Sequence, residues 1–475
     1  MSMKLANQPD STNLYEAVRL ALRQWHGDNN APSPIGHLYL FRKVQRNGYT
    51  TLRRTTNQVL LDAMEELQQT HEHDMKLLQM RFLDLLPVQR LAHHFNVAES
   101  TIFTMQRQAI ERLAETLAQM EYHASTAQKA LLRTRLEPAS YVNLIGIQEH
   151  LAQLAQLLVT PGPPWLVAVE GIGGIGKTSI ADALLRQLIE QGAFDESGWV
   201  SARQTRLNFG GGLQLIERPT LTAETLIEQL LRQLLPELAP PTGSPVEQSL
   251  RLLQARLKAT PHLLVIDNLE TVTDVEGLLP TLQTLAAPTK FLLTSRQSLY
   301  TEPNIYHFTV PELSEVHALE LIKQEAAWSN LPVLAKSSDA ELRPIVQTVG
   351  GNPLALRLVI GQTHIHALET LLDELRQAQG QTAENLYHYI YHQAWARLDC
   401  LSQKVLLIMP LTPPHGETLN YLAQVGNLPV GDVRLALNKL VMLNLVDARG
   451  GLNDRRYSIH GLTRTFLQEQ VAKWF

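Results

Sequence analysis

Between Trp165 and Ile180 the chain reads WLVAVEGIGGIGKTSI, in which Gly171, Gly176, Lys177 and Thr178 fill the spacing G-x-x-x-x-G-K-[ST]. Residues of these types at this spacing do phosphate chemistry, and the pattern is that of a P-loop. Gly171, Gly173, Gly174 and Gly176 carry no Cβ, so the backbone can turn tightly and aim successive N–H groups at phosphate oxygens. A helix opening at Lys177 adds the positive end of its dipole to the same point. Lys177 then reaches the β- and γ-phosphates, Thr178 takes a place on Mg²⁺, and Ile175 and Ser179 complete the cradle. An ordinary glycine-rich turn is the alternative; it is disfavoured because strand, loop and helix follow in the order that the P-loop requires.

Two further stretches end in polar residues suited to the same chemistry. His262 to Glu270, HLLVIDNLE, reads as a buried strand ending in an acid, the Walker B pattern. Asp267 can hold Mg²⁺ through its water shell together with Thr178. The next residue, Asn268, cannot accept a proton, which predicts slow hydrolysis at most unless Glu270 substitutes. Phe291 to Gln297, FLLTSRQ, reads as another strand, ending in Arg296.

The elements that must position these residues follow from periodicity and composition. The 475 residues predict roughly three or more domains. With 44% hydrophobic and 18% charged residues the chain has the composition of a soluble globular protein. No apolar run is long enough for a membrane span and no secretory signal opens the chain, so a cytoplasmic location is expected. The single cysteine, Cys400, excludes an intrachain disulfide and is expected as a small core residue. A net charge of −5 gives no global drive toward nucleic acid or anionic membrane. No tandem repeat is present.

The first 140 residues are predicted to be helical, with a stripe at Leu14, Ala17, Val18, Ala21, Leu22 and Trp25, and a break from Asn29 to Gly36. Arg42, Lys43, Arg46, Arg53 and Arg54 form a basic run that suits either phosphate or a solvated face. Met75 to Leu117 reads as helix, break, helix, tight turn, helix, with Ser100 as an N-cap for the third helix. Leu83, Leu86, Val88 and Leu91 would pack the first two helices, and Val97 and Ile102 would plug the turn. The stretch resembles the helix-turn-helix of region 4 of sigma-70-type factors and of related response regulators. That resemblance implies DNA binding through residues 75–117, with Ser100, Thr101, Thr104, Gln106 and Arg107 as contacts. The basic residues here are matched by acids, so a three-helix protein-interaction module stands beside the DNA reading. His71, His73, His93 and His94 lack the cysteine or acid spacing of a metal site.

From Tyr141 onward the ordered motifs resemble the STAND class of P-loop ATPases, in the NB-ARC branch shared by plant resistance proteins and apoptotic activating factors. The resemblance rests on the lead-in YVNLIGIQEHLAQLAQLL, the P-loop, the Walker B strand, the strand ending in Arg296, GGNPLAL at Gly350 to Leu356, and YSIHGLTRTF at Tyr457 to Phe466. It implies an α/β nucleotide-binding domain with a parallel sheet, then a helical domain and a winged helix, preceded by the helical N-terminal region. The expected divisions are 1–70, a helix-turn-helix at 71–122, a linker at 123–140, the nucleotide domain at 141–310, a helical domain at 311–394 and the winged helix at 395–475. The family lines the adenine with the residues before the first helix, here Val142 and Leu144, Ile145 and Gly146. Its usual arginine after the glycine is Ile147 in this chain.

By the same resemblance Arg296 reads the γ-phosphate, Pro353 with Leu354 lies against the adenine, and His460 contacts the β-phosphate of ADP. The family's aspartate after that histidine is replaced by Gly461. Asn208 to Leu213, with three consecutive glycines, reads as a loop. The implied function is an ADP/ATP switch, with Mg²⁺ at Thr178 and Asp267, slow ATPase activity at most, and self-oligomerisation on ATP binding. Its output would be transcription regulation through the helix-turn-helix, or defence signalling through a protein partner. Family members usually carry a repeat sensor after the winged helix; this chain ends at Phe475, so a sensor on another protein, or a stimulus acting on the core itself, is expected.

Overall fold

The structure is a computed structural model that describes residues 11–46, 48, 51–137, 139, 141–202, 222–237, 246–269, 275–296, 299, 302, 304–364, 366–377, 395, 398–413, 416–443, 445–450, 454–459, 463 and 467. The chain divides into two compact units, Met1–Thr134 and Arg135–Phe475. Among the described residues no helix is long and apolar enough to cross a membrane.

The first unit is all-helical: α1 (Ser11–Arg23), α2 (Tyr39–Arg46), α3 (Leu52–Thr70), α4 (Glu72–Leu78) continued by a π-helical turn (Gln79–Leu83), α5 (Val88–Phe95) and α6 (Glu99–Thr134). Helix α6 is the spine against which α1 to α5 pack. Of its buried residues, Ile102, Ala109, Ile110, Leu113, Ala114 and Leu117 recur at helical spacing and form one stripe, and Leu132 is buried near its C-terminal end. Glu121, on the same helix, accepts from the backbone N–H groups of Tyr39 (2.8 Å) and Leu40 (3.0 Å). Helix α2 has no acid in its own first turn; the carboxylate that satisfies its N-terminus arrives from α6.

Residues 123–134, expected as a linker helix or hinge, are the C-terminal part of α6. Two sequence expectations change here. Ser100 is not the N-cap, because the helix already begins at Glu99; the reversal is made earlier by Asn96 in the left-handed region at φ 53°, where the amide side chain relieves the strain that most residues would meet. In the second unit, Cys400 is exposed rather than in the core.

The second unit contains a five-stranded parallel sheet in the order β2-β3-β4-β1-β5, from β1 (Leu166–Glu170), β2 (Glu196–Ser201), β3 (His262–Asp267), β4 (Lys290–Ser295) and β5 (Ile305–Thr309). Strands β1, β3 and β4 are buried at every residue, which is why they read as continuous apolar runs rather than alternating ones. Helices α7 (Gln148–Val159), α8 (Lys177–Gln191), α9 (Ala223–Leu234), α10 (Val246–Ala259) and α11 (Val275–Leu285) belong to this sheet domain. Among the described residues β2 is an edge of the sheet. Its outward groups are taken by side chains: Gln233 of α9 accepts from the Trp199 N–H (3.1 Å) and donates to the Trp199 carbonyl (2.8 Å), and Arg135 donates to the Ser197 carbonyl (2.7 Å).

Beyond the sheet come α12 (Glu315–Trp328), α13 (Pro332–Lys336), α14 (Asp339–Val349), α15 (Pro353–Gln362) and α16 (Leu368–Gln377). They are followed by α17 (Cys400–Ile408), β6 (Glu417–Thr418), α18 (Leu419–Gly426), α19 (Val430–Met442), β7 (Asp447–Arg449) and β8 (Arg456–Ser458), the strands pairing antiparallel in the order β6-β8-β7. One apolar cluster runs from Ala318 and Ile322 through Val359 and Ile360 to Leu437, Leu440 and Leu467, so these helices and the small sheet share a core. Gly361 makes the junction close, since a Cβ there would stand 2.5 Å from the Leu443 backbone.

Candidate functional site

The C-terminal ends of β1, β3 and β4 meet in register. Glu170 pairs with Ser295, and Leu166 to Glu170 lie between β4 and β5. In an open parallel sheet this edge is where ligands bind. The loop Gly171–Gly176 leaves β1 here and α8 begins at Lys177, with Gly176 as N-cap at φ 105°. Lys177 folds back over the loop, its Nζ donating to the carbonyls of Gly171 (2.7 Å) and Ile172 (3.0 Å).

Beside it, the Thr178 hydroxyl donates to Asp267 Oδ1 at 2.7 Å, and Thr294 of β4 donates to the same oxygen at 2.7 Å. The Asn268 N–H in turn donates to Thr294 Oγ1 at 2.9 Å. Asp267 is 1% exposed, so these contacts hold a buried carboxylate in one orientation. The carboxylate and hydroxyl form a hard-oxygen pair at the head of the phosphate loop, a donor set that fits Mg²⁺.

A cavity of about 800 Å³ opens over this edge, lined by Gly173 to Ser179, Asn268 and Arg296. The lead-in segment contributes Val142 and Leu144 to Ile147, helix α12 contributes His317 and Leu321, and α15 contributes Pro353, Leu354 and Arg357. Asp447 of β7 and Ile459 line it from the C-terminal sheet. The sequence-expected residues of the second unit therefore come together: the phosphate loop, Arg296, Val142, Ile145, Gly146, Pro353 and Leu354 share one cavity, and Asp267 reaches it through Thr178. His460 and Glu270 lie outside the described residues, as does the loop Asn208 to Leu213.

Several residues of the site were not singled out by the sequence. Asn352, 1% exposed, caps α15 with Oδ1 and donates from Nδ2 to the Gly173 carbonyl. Tyr141 donates to Asp182 Oδ2 (2.8 Å), which also accepts from Arg186 (2.7 Å). Burial, and then the Asp182 charge, push the Tyr141 hydroxyl pKa well above its ordinary value, so it stays a donor. Arg357 bridges Glu325 of α12 (3.2 Å) and Asp447 of β7 (3.3 Å). Burial alone would lower the Arg357 pKa, but the two carboxylates more than offset it and leave it above the usual value. The asparagine of GGNPLAL offered a signal, being a good N-cap before proline; the partners of Arg357, distant in sequence, offered none.

In the first unit the residues expected to meet DNA stand on the first turns of α6. Ser100, Thr101, Thr104 and Arg107 are exposed and Gln106 is half-buried. Arg107 pairs with Glu111 on the same helix at 3.4 Å.

The parallel sheet, the glycine loop running into α8 and the buried acid at the end of β3 define a P-loop nucleotide-binding domain. Residues 147–339 match the family model described as NB-ARC domain, which gives the cavity's ligand its class, a nucleotide. The chain is 24% identical over 351 residues to the disease resistance-like protein DSC1 of Arabidopsis thaliana, covering 71% of this chain and 26% of that protein. It is 24% identical over 291 residues to the TMV resistance protein N of Nicotiana glutinosa, covering 60% of this chain and 24% of that one. It thus spans about a quarter of the length of these relatives. Among solved structures, a signal transduction ATPase with numerous domains (STAND) with a tetratricopeptide repeat sensor from Pyrococcus horikoshii aligns at TM-score 0.46 and 15% identity, over 70% of this chain and 43% of that one.

Proposed function

We propose that this chain is a nucleotide-dependent switch of the STAND type, in which ADP holds the C-terminal sheet against the phosphate loop and exchange for ATP releases it. One observation carries this reading: a single cavity is lined at once by the P-loop, by α15 and by β7. A ligand placed there touches all three, so the number of its phosphates can bias how they sit together. Lys177 and the loop N–H groups would hold the β-phosphate, Thr178 and Asp267 the Mg²⁺ that shields phosphate charge, and Arg296 the γ-phosphate. Asn268 makes hydrolysis slow. The element order of α17, β6, α18, α19 and the β7-β8 hairpin supports a winged helix as the moving part.

The test is nucleotide retention. The purified chain should hold ADP, and Lys177→Ala should lose it; equal retention by both would sink the assignment.

For the output we favour transcription regulation, with the α5-α6 pair brought to DNA as an oligomer so that several weak heads gain avidity. The exposure of Ser100, Thr101, Thr104 and Arg107 on one helix supports it. A second reading, a defence-signalling protein whose N-terminal helices recruit a protein partner, is supported by the resistance-protein relatives and by Phe103, 57% exposed on the same helix. Binding of the full chain to fragmented genomic DNA across a salt series separates the two: selective fragments with steep salt dependence favour the first, and no binding at low salt favours the second.

A further inference from the structure

The cavity wall built from the lead-in segment, α12 and α15 is largely apolar, with Val142, Ile145, Leu321 and Leu354 on it. His317 stands among them. Gly146 lies directly under its ring at φ 71°, and a Cβ at that position would come 2.6 Å from Nδ1 and 2.7 Å from Cγ. Any side chain at 146 would need a left-handed backbone and would also displace the imidazole. The backbone glycine and the ring are thus one unit.

Ser314 holds the ring in place. Its Oγ is the N-cap of α12, accepting from the His317 N–H (3.4 Å), and lies 3.0 Å from Nδ1. A hydroxyl that accepts with a lone pair keeps its own proton to donate. We assign the tautomer in which that proton is donated to Nδ1 and the ring proton sits on Nε2. Among the described residues His317 makes no other hydrogen bond. The charged groups of the same wall are engaged with one another, Arg357 with Glu325 and Asp447. In that tautomer Nε2–H is an unengaged donor on a ring that lines the apolar wall.

We infer that His317 reads the base of the bound nucleotide: Nε2–H donates to an unprotonated ring nitrogen of a purine lying against Val142, Ile145 and Leu354. The inference rests on the nucleotide reading above. An apolar wall with one placed donor is how a site fixes the orientation of a flat ligand. Adenine offers such nitrogens at N1, N3 and N7, whereas a uracil ring offers none, so the donor favours purines over uridine nucleotides.

The experiment is equilibrium binding of the full chain to ADP and to 1-deaza-, 3-deaza- and 7-deaza-ADP. Each analogue replaces one ring nitrogen by C–H. The wild type should bind one of the three roughly three- to tenfold more weakly than ADP, the worth of one neutral hydrogen bond. His317→Phe keeps a ring over Gly146 without a donor and should bind ADP and that analogue alike, while His317→Gln should recover part of the difference. Wild-type binding of ADP and all three analogues within twofold would overturn the inference, as would discrimination that persists in His317→Phe. Failure of the wild type to bind ADP at all would overturn the nucleotide reading itself, and this inference with it.

Discussion

Asn352 Nδ2 donates to the Gly173 carbonyl at 3.0 Å, joining the phosphate loop to the first turn of α15 through one buried side chain. Its Oδ1 accepts from the N–H groups of Leu354 (3.0 Å) and Ala355 (3.4 Å). The next loop residue, Gly174, approaches so closely that a Cβ would stand 2.7 Å from that of Leu354. A phosphate that orders the loop would therefore act on the first turn of α15 through Asn352 and the Gly174–Leu354 contact.

Asn352→Ala should cost about 1–3 kcal/mol, because it removes a helix cap and leaves the Gly173 carbonyl without its partner. A denaturant melt measures this. Gly174→Ala, at φ 77°, should weaken ADP binding more than it lowers the melt, since it separates the loop from α15; equal binding by both proteins would show that the contact is only structural.

Asp447→Asn should speed ADP release by roughly three- to tenfold, the worth of one weakened charge-assisted contact across the cavity wall. Arg357→Ala should be worse for folding, by about 3 kcal/mol, because it strands the Glu325 carboxylate, 6% exposed. Release of a fluorescent ADP reads the first effect and a melt the second. An unchanged release rate in Asp447→Asn would detach β7 from nucleotide retention.

Asn268→Glu should raise ATP turnover by about tenfold or more, by supplying a proton acceptor that asparagine lacks. The position is in the left-handed region at φ 67°, so Asn268→Asp, the better tolerated change there, is the companion variant. Turnover unaltered by either would mean that the attacking water is activated elsewhere.

Asp399 caps α17 by accepting from the Ser402 N–H (2.8 Å), and Lys439 donates to it (2.6 Å). Lys439 first, then the Ser402 N–H, hold its carboxyl down at about 2. A depressed acid contributes stability that is complete above its unfolded value, near 4, and is lost as pH falls toward 2. Asp399→Ala should cost about 1 kcal/mol at neutral pH, the pair being partly exposed and screened. In melts at decreasing pH the gap from wild type should close between about pH 4 and pH 2.

Much of the nucleotide-binding domain was legible because its signals are local. A phosphate loop announces itself by spacing, and the buried parallel strands β1, β3 and β4 by apolar runs too short for helices. Pro353 was legible as a helix start, and the structure puts it on the cavity wall. The tertiary pairings were not legible. His317 follows Gly146 by a whole sheet domain, and Glu121 caps a helix that began far upstream; neither pairing leaves a periodic trace. Residues 123–134 were read as a linker helix or hinge, and where α6 ends was not legible because that stretch has no continuous apolar stripe, although Leu132 in it is buried. Cys400 was misplaced for the converse reason: its neighbours Leu401, Val405 and Leu406 face the core, while the first residue of the helix turns outward.

The side chains along β2 have one more consequence. An unpaired strand margin is a template on which another chain can add itself, the route by which sheets extend and aggregate. With the Trp199 N–H and carbonyl held by Gln233 and the Ser197 carbonyl held by Arg135, the central part of that margin has no groups to offer. The centre of β2 is therefore closed to strand addition by the Gln233 amide and the Arg135 guanidinium, which stand in for a neighbour.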